Sequence, residues 1–494
     1  MKPEFLALLR CPYCRGSFAF REIPRAEFLA EESGVLRCAC SAFPVIDGIP
    51  VLQKAAVGIF ENTTGTAQSE GTSIAELVRL LESGRSLEAL ERCLAPPAQP
   101  LPDRLKRLLP WRVANGEFLR NRVRRKESRR LRTEILAKRN RISVREILDF
   151  YFHPGSALGP AMGHYFALRF CQPRHLAALS LLAALPPDSK PVLDIACGLG
   201  HLEHYLTHRT GPIHAVGTDM NFFHVWIARH WFAPSADYVC ANAGDGLPFA
   251  DGCFSASLCS DAYHYIPNRA GLLREIERCA PGRPVFLTRV GNRDVMPNEG
   301  AERSLRDYLK ECGGGSGEGA DLSGGSGSRE GAVPGRGSHE GAAKGERAVS
   351  VFSETDLLQA YLQGRNPLDR LAGNPEGLEE LREAKWLSFA WNLGPALRAR
   401  PREKSEPPHA VGRIGVNPIY RASRRTATAT LMRFDFPLPW YAYENHAMLS
   451  YHPRTAELPT TAREGLQAWR DDAGLAKLVE SYVLIGMPER FGPG

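Results

Sequence analysis

The run Pro191–His201, Pro-Val-Leu-Asp-Ile-Ala-Cys-Gly-Leu-Gly-His, constrains this chain more than any other stretch. Val192, Leu193 and Ile195 are apolar enough for a buried parallel strand. Gly198 and Gly200 permit a tight turn and a close approach of backbone to ligand. A Gly-x-Gly alone also fits an ordinary strand-to-helix turn, so the next unit matters. Ile213–Asp219 reads as a second short strand ending in a carboxylate, 19 residues after Gly200. That spacing suits an acidic side chain that accepts hydrogen bonds from ribose hydroxyls after one strand-helix-strand crossover. The pair of units predicts a nucleotide-cofactor loop.

Two further segments continue the pattern: Asn242–Phe254, with Leu247-Pro248-Phe249 inside it, and Ser255–Ile266, with Val285–Val290 as a fifth strand. In order and content these motifs, over roughly residues 165–295, resemble class I S-adenosylmethionine (SAM) methyltransferases. The resemblance implies an α/β fold with a Rossmann-like sheet and SAM as cofactor. It assigns Asp194, Ala196, Gly198 and Gly200 to the methionine and ribose side of SAM, and Asp219 with Met220 to the ribose. Asn242 and Ala243 would flank the adenine, with Asp261 completing the cofactor set. The family usually carries Asp where this chain has Asn242, and Asp245 is the alternative for that position. His264, after the fourth strand where ligands of open α/β sheets bind, is the candidate base, beside Tyr263 and Asp261. The competing reading of His264 is an adenine-side or core residue.

With 494 residues the chain is too long for one core of ordinary size, and two or three domains are expected. No apolar run reaches the ~18–20 residues of a membrane helix, and Phe5–Leu9 before Arg10 is too short for a signal peptide. Twelve cysteines are scattered through the sequence. Cys197, Cys240 and Cys259 fall in apolar runs where buried thiols are ordinary. A reducing cytoplasm is the expected location.

Cys11-Pro-Tyr-Cys14 and Cys38-Ala-Cys40 are different, because two thiol pairs 23 residues apart can complete a tetrahedral zinc site in a segment too short for its own core. Leu8–Leu52 resembles the zinc-ribbon-like domain of the small activator subunit that partners tRNA and protein methyltransferases. Its four cysteines would hold structural zinc; the alternative is a metal-free ribbon held by its hydrophobic residues. Four thiolates leave no open coordination position for catalysis.

Ile74–Leu94 has helical apolar spacing up to the stop at Pro96-Pro97. Residues 101–150 then carry 16 Lys or Arg against 6 Asp or Glu, whereas the whole chain is only +7. Such a cluster can contact phosphates. With few aromatics for base stacking, a solvated helix face or an acidic partner within the protein is preferred. Gly163–Phe170 places Tyr165 and Arg169 just ahead of the cofactor fold, as core residues or as a lid. Gly313–Gly345 holds 13 glycines in 33 residues and is expected to be a disordered insertion. Ser353 is a helix N-cap after it. Val411–Tyr420 and Ala427–Phe436 read as strands, and Asn417-Pro418-Ile419-Tyr420 as a turn.

The sequence thus predicts a zinc-ribbon-like domain at 1–54, a helical basic connector at 55–162, a methyltransferase domain at 163–400 with the insertion at 313–347, and a β-containing extension at 401–494. What the resemblance implies for function is methyl transfer to a small molecule or biosynthetic intermediate. The alternatives are an RNA methyltransferase that grips phosphates with ribbon and basic helix, and a non-catalytic interaction module. No membrane span is expected, and the oligomeric state is open.

Overall fold

The computed structural model describes residues 1–58, 71–96, 117–154, 156, 158–297, 303–313, 347–369, 380–400, 407–460 and 465–492. The expected glycine-rich insertion and the first part of the basic connector lie outside the described residues.

The first layer is a four-stranded antiparallel sheet of β1 (Ala19–Ile23), β2 (Ser33–Arg37), β3 (Ala42–Ile46) and β4 (Ile49–Pro50), in that order. Asp47 and Gly48 turn the β3–β4 corner with φ of +48° and +82°, conformations that Asp and Gly tolerate best. The central sheet follows, with β5 (Val192–Ile195), β6 (Ala215–Asp219), β7 (Asp237–Cys240), β8 (Ala256–Ser260), β9 (Val285–Gly291), β10 (Val349–Ser353) and β11 (Trp386–Trp391). Its order is β10-β11-β9-β8-β5-β6-β7. Strands β5 to β9 are parallel, and β11 lies antiparallel between β9 and β10. Every residue of β5, β6, β7, β8 and β9 is buried, the pattern of a sheet covered on both faces. This is the Rossmann-like sheet expected from the motifs. Ser353 caps the helix after β10 in a capping box with Asp356.

The cysteine-bearing module is joined to this sheet through backbone. Val51 bridges in parallel to Cys240 at the end of β7, and the Leu52 amide donates to the Cys240 carbonyl at 2.8 Å. Leu9 pairs with Phe249, and the Arg10 amide donates to Pro248 at 2.8 Å. Phe5, Leu9, Phe43 and Leu52 share one apolar cluster with Val216, Val239, Leu247 and Phe249. The free edge of β7 is thereby covered, which removes a row of unpaired amides and carbonyls.

A buried carboxylate fastens the same junction. Asp47 Oδ1 accepts from the Ala30 and Glu31 amides at 2.6 and 2.8 Å, and Oδ2 accepts from Trp226 Nε1 at 2.8 Å and the Arg139 guanidinium at 3.1 Å. Burial opposes its ionisation, but the His230 and Arg139 charges outweigh burial and hold the carboxyl below its usual range. Ribbon, connector and the helix after β6 therefore meet at one ion.

The helical reading of Ile74–Leu94 holds in type but not in continuity. Two helices, Ile74–Glu82 and Ser86–Leu94, are separated where Gly84 takes φ +73°. The apolar spacing allows both arrangements; only the left-handed Gly84 breaks the helix. The C-terminal strands form two small sheets: β12 (Arg413–Val416) with β16 (Leu484–Met487), and β13 (Tyr420–Arg425), β14 (Ala429–Phe434) and β15 (Thr455–Pro459). Asn417 is a buried turn residue, its Oδ1 accepting from the Ile419 amide and its Nδ2 donating to the Tyr482 carbonyl. No helix among the described residues is long and apolar enough to cross a membrane.

Candidate active site and cysteine cluster

The carboxyl ends of β5, β6 and β8 open into one cavity. Asp194, Ala196, Gly198, Asp219, Met220, Asn242, Ala243 and Asp261 all line it. Gly200 does not line it but makes the turn: its φ is +81°, and a Cβ there would come within 2.7 Å of the Tyr238 hydroxyl. Gly198 has φ +57°, and a Cβ there would lie 3.9 Å from Phe166 Cε1, an ordinary contact. Asp245 is exposed and does not line the cavity, so Asn242 and Ala243 hold the position beside it.

Asp219 closes the loop. Its Oδ2 accepts the Gly198 amide at 3.0 Å, its Oδ1 accepts the Asn221 amide at 2.8 Å, and His224 Nδ1 lies 3.3 Å from Oδ1. The strand order dictates this, since adjacent parallel strands deliver their carboxyl ends to the same sheet edge.

Behind the loop sits a feature the sequence reading missed. Glu203, in the first turn of the helix His201–His208, is fully buried next to Asp194. Burial pushes its carboxyl up to about 8. Asp194, beside it, is likewise raised, by burial first and then by the Glu203 charge. Two carboxyls packed together away from water favour retaining a proton between them. An acidic residue three positions after Gly200 was the available signal.

A second missed group is Arg289, whose signal was a lone cation inside an apolar strand. It donates to Asp261 Oδ1 at 2.9 Å, to Glu354 at 2.7 Å and to Glu444 at 3.1 Å, and its guanidinium stacks 3.8 Å above the Trp386 ring. Asp261, held at φ +59°, also accepts from the Tyr165 hydroxyl at 2.8 Å, Arg174 at 3.1 Å and Arg169 at 3.2 Å. Although burial opposes ionisation, Arg289, Arg174 and Arg169 keep its carboxyl down at about 2. Tyr165 and Arg169 line the cavity on the helical segment that precedes the sheet.

His264 lies outside the cavity lining, 1% exposed, with its ring 4.0 Å from that of Tyr265 and 6.0 Å from that of Trp386. Burial brings its imidazole down to about 4, and neither ring nitrogen has a hydrogen-bond partner. Tyr265, next in sequence, does line the cavity and is 42% exposed.

Away from the cavity, Cys11, Cys14, Cys38 and Cys40 bring their sulfurs within 4.8 Å of one another. Neighbouring Sγ atoms are 3.5 Å (Cys38–Cys40), 3.6 Å (Cys11–Cys40) and 3.8 Å (Cys14–Cys38) apart. A tetrahedron of Zn–S bonds near 2.3 Å has edges of about 3.8 Å, so the Cys-x-Cys knuckle reaches the same geometry as Cys-x-x-Cys. The donor set fits a four-thiolate metal site.

Residues 192–281 match the family model of a methyltransferase domain. Two curated relatives from Mycobacterium ulcerans (strain Agy99) are similar: phthiotriol/phenolphthiotriol dimycocerosates methyltransferase 1, 33% identical over 118 residues (23% of this chain, 41% of that protein), and the probable methyltransferase 2 of the same name, 33% identical over 92 residues (18% and 35%). The chain therefore spans about two fifths or less of these relatives. Among solved structures, it is similar to the complex of the Haloferax volcanii Trm112 methyltransferase activator with a methyltransferase (19% identity, 31% of this chain, 69% of that chain, TM-score 0.27) and to the plantazolicin methyltransferase BpumL (15%, 46%, 84%, TM-score 0.29). Residues 192–281 are thus similar to a methyltransferase domain, and the seven-stranded sheet that holds them is a Rossmann-like α/β sheet.

Proposed function

We propose that this protein transfers a methyl group from SAM to a small molecule or biosynthetic intermediate. The observation that carries the reading is the Asp219–Gly198 loop at the head of a cavity lined by Asp194, Asn242 and Ala243. In this reading Asp219 accepts the ribose hydroxyls, Asn242 and Ala243 flank the adenine, and Asp194 with the Ala196–Gly198 backbone holds the methionine end. When bound, SAM would supply a sulfonium methyl whose carbon an acceptor atom attacks in line, with S-adenosylhomocysteine as the leaving group and the acceptor's proton given up. The protein's part is orientation and proton removal.

For the proton the reading stays with His264, whose imidazole burial keeps neutral and whose ring nitrogens are unpartnered. Because that ring is buried beside Tyr265, the role requires the acceptor to displace the Tyr265 side chain. The four cysteines would hold one structural zinc. The eight cysteines outside that cluster are not joined in disulfides, as a reducing cytoplasm would require. The small-molecule reading draws on the two mycobacterial relatives; salt-dependent RNA binding would favour the RNA alternative. Incubation with labelled SAM and a metabolite extract tests the proposal: a labelled small molecule is the expected result, and no SAM affinity by calorimetry would overturn it.

A further inference from the structure

A second large cavity, of about 850 Å³, shares no lining residue with the first. It lies between the start of the helix Val144–Phe152, the β12–β16 pair and the β13–β14 face. Six arginines line it, Arg141, Arg145, Arg413, Arg421, Arg425 and Arg490, against two glutamates. One of those, Glu146, is already engaged, accepting from both the backbone and the hydroxyl of Ser143 in a capping box. Arg421 reaches Asp435 at 3.6 Å, with both side chains largely exposed. Among the described residues no carboxylate pairs with the other five arginines; Arg413 and Arg490 donate to backbone carbonyls instead.

Arg145 is the most telling of these. It is half-buried, its Nε has no hydrogen-bond partner, and burial followed by repulsion from Arg421 lowers its pKa. Asp149, one turn further along the same helix, is the carboxylate whose field it feels. A half-buried guanidinium that is ion-paired to no carboxylate among the described residues and is repelled by a second cation raises the energy of the empty state, which an anion would relieve.

The walls say what kind of anion. Val416, Pro418, Ala422 and Leu466 also line the groove and are half-buried or exposed, so an arginine rim stands beside accessible apolar side chains. Arginine is suited to phosphate through bidentate charge-assisted hydrogen bonds, and the apolar residues favour a ligand with hydrocarbon to bury. The lining aromatics Tyr420 and Phe491 are 5% and 3% exposed, so the groove offers no stacking platform for the bases of single-stranded nucleic acid.

We propose that this groove binds a phosphate- or pyrophosphate-headed small molecule with an apolar tail, at a site separate from the methyltransferase cavity. Arg145 and Arg421 hold the phosphate, and Val416, Pro418 and Leu466 take the tail. His164 sits on the helix Gly159–Ala167 with the cavity-lining Tyr165 and Phe166, and burial followed by the Arg421 charge lowers the pKa of its imidazole.

Calorimetry on the full chain tests this with geranyl pyrophosphate, inorganic pyrophosphate, geraniol and a single-stranded RNA oligomer as probes. Geranyl pyrophosphate should bind one to one, about tenfold or more tighter than either pyrophosphate or geraniol. Arg145→Gln and Arg421→Gln should each weaken it by about fivefold or more while SAM affinity stays unchanged. Arg421 is exposed, so its replacement keeps the test open if Arg145→Gln fails to fold. Equal affinity in wild type and Arg421→Gln would overturn the site. So would RNA that displaces geranyl pyrophosphate and binds more tightly, since the groove would then be a nucleic-acid surface.

Discussion

The Asp219 carboxylate takes the Gly198 amide at 3.0 Å, joining the end of β6 to the glycine turn after β5. One oxygen thus fixes the loop and the other holds the start of the next helix through Asn221. In the proposed function the same carboxylate takes the ribose hydroxyls, which would couple the shape of the loop to ligand binding in a single group.

Replacing Asp219 by Ala should weaken SAM binding by about tenfold or more and also leave two amides without their acceptor, at a cost of ~1–3 kcal/mol. Asp219→Asn, which keeps one acceptor oxygen, should retain more of the stability than of the affinity. Calorimetry and thermal melting separate the two effects; unchanged affinity in Asp219→Ala would remove Asp219 from the ribose.

Glu203 makes stability depend on pH. A carboxyl whose folded value is about 8, against an unfolded value near 4, contributes full stability below the unfolded value and loses it as pH rises through the folded one. Thermal stability should therefore decline between about pH 5 and pH 8. Glu203→Gln should flatten that decline and raise Tm at pH 8.5 by about 3 °C or more. A pH profile identical to wild type would mean that Glu203 is ionised in the folded protein.

Asp261 works in the opposite sense. Its folded value of about 2 lies below the unfolded one, so its contribution is complete above about pH 4 and disappears as pH falls toward 2. Asp261→Asn leaves Arg169, Arg174 and Arg289 without a shared anion and should cost ~3–5 kcal/mol. A melting temperature within a degree of wild type would show that Glu354 and Glu444 suffice for the three guanidiniums.

Purified protein should carry about one zinc per chain, and Cys14→Ser should release it. Because the cysteine module shares backbone bridges and an apolar cluster with the central sheet, its loosening should lower the melting of the methyltransferase domain as well. A ribbon independent of the sheet would instead melt ahead of the rest. Elemental analysis alongside calorimetry checks both points, and a metal-free protein grown with ample zinc would refute the site.

Deleting Gly314–Lys344 and joining the ends with a short linker should leave SAM affinity and Tm within a few degrees of wild type. The Arg347 amide donates to the Gly313 carbonyl at 3.1 Å, so the two flanks already meet and a shorter closure costs little. Loss of the fold would mean that the segment contributes to the core.

Sequence alone determined the parts whose chemistry is local. A strand, a glycine turn and a carboxylate in register are specified by residue type and spacing, which is why Asp194, Gly198 and Asp219 were legible before any coordinates. The two cysteine pairs were legible for the same reason. What tertiary structure decided were encounters between distant segments: Asp47, legible only as a turn residue, becomes the buried partner of Arg139 and Trp226, and Arg289 meets Glu444 155 positions away. His264 was placed after the right strand, yet packing against Tyr265 and Trp386 set which way its ring lies. Local periodicity carries no information about which charges will be desolvated together; that follows from how the layers pack, because a buried ion is tolerated only where the chain brings it a partner.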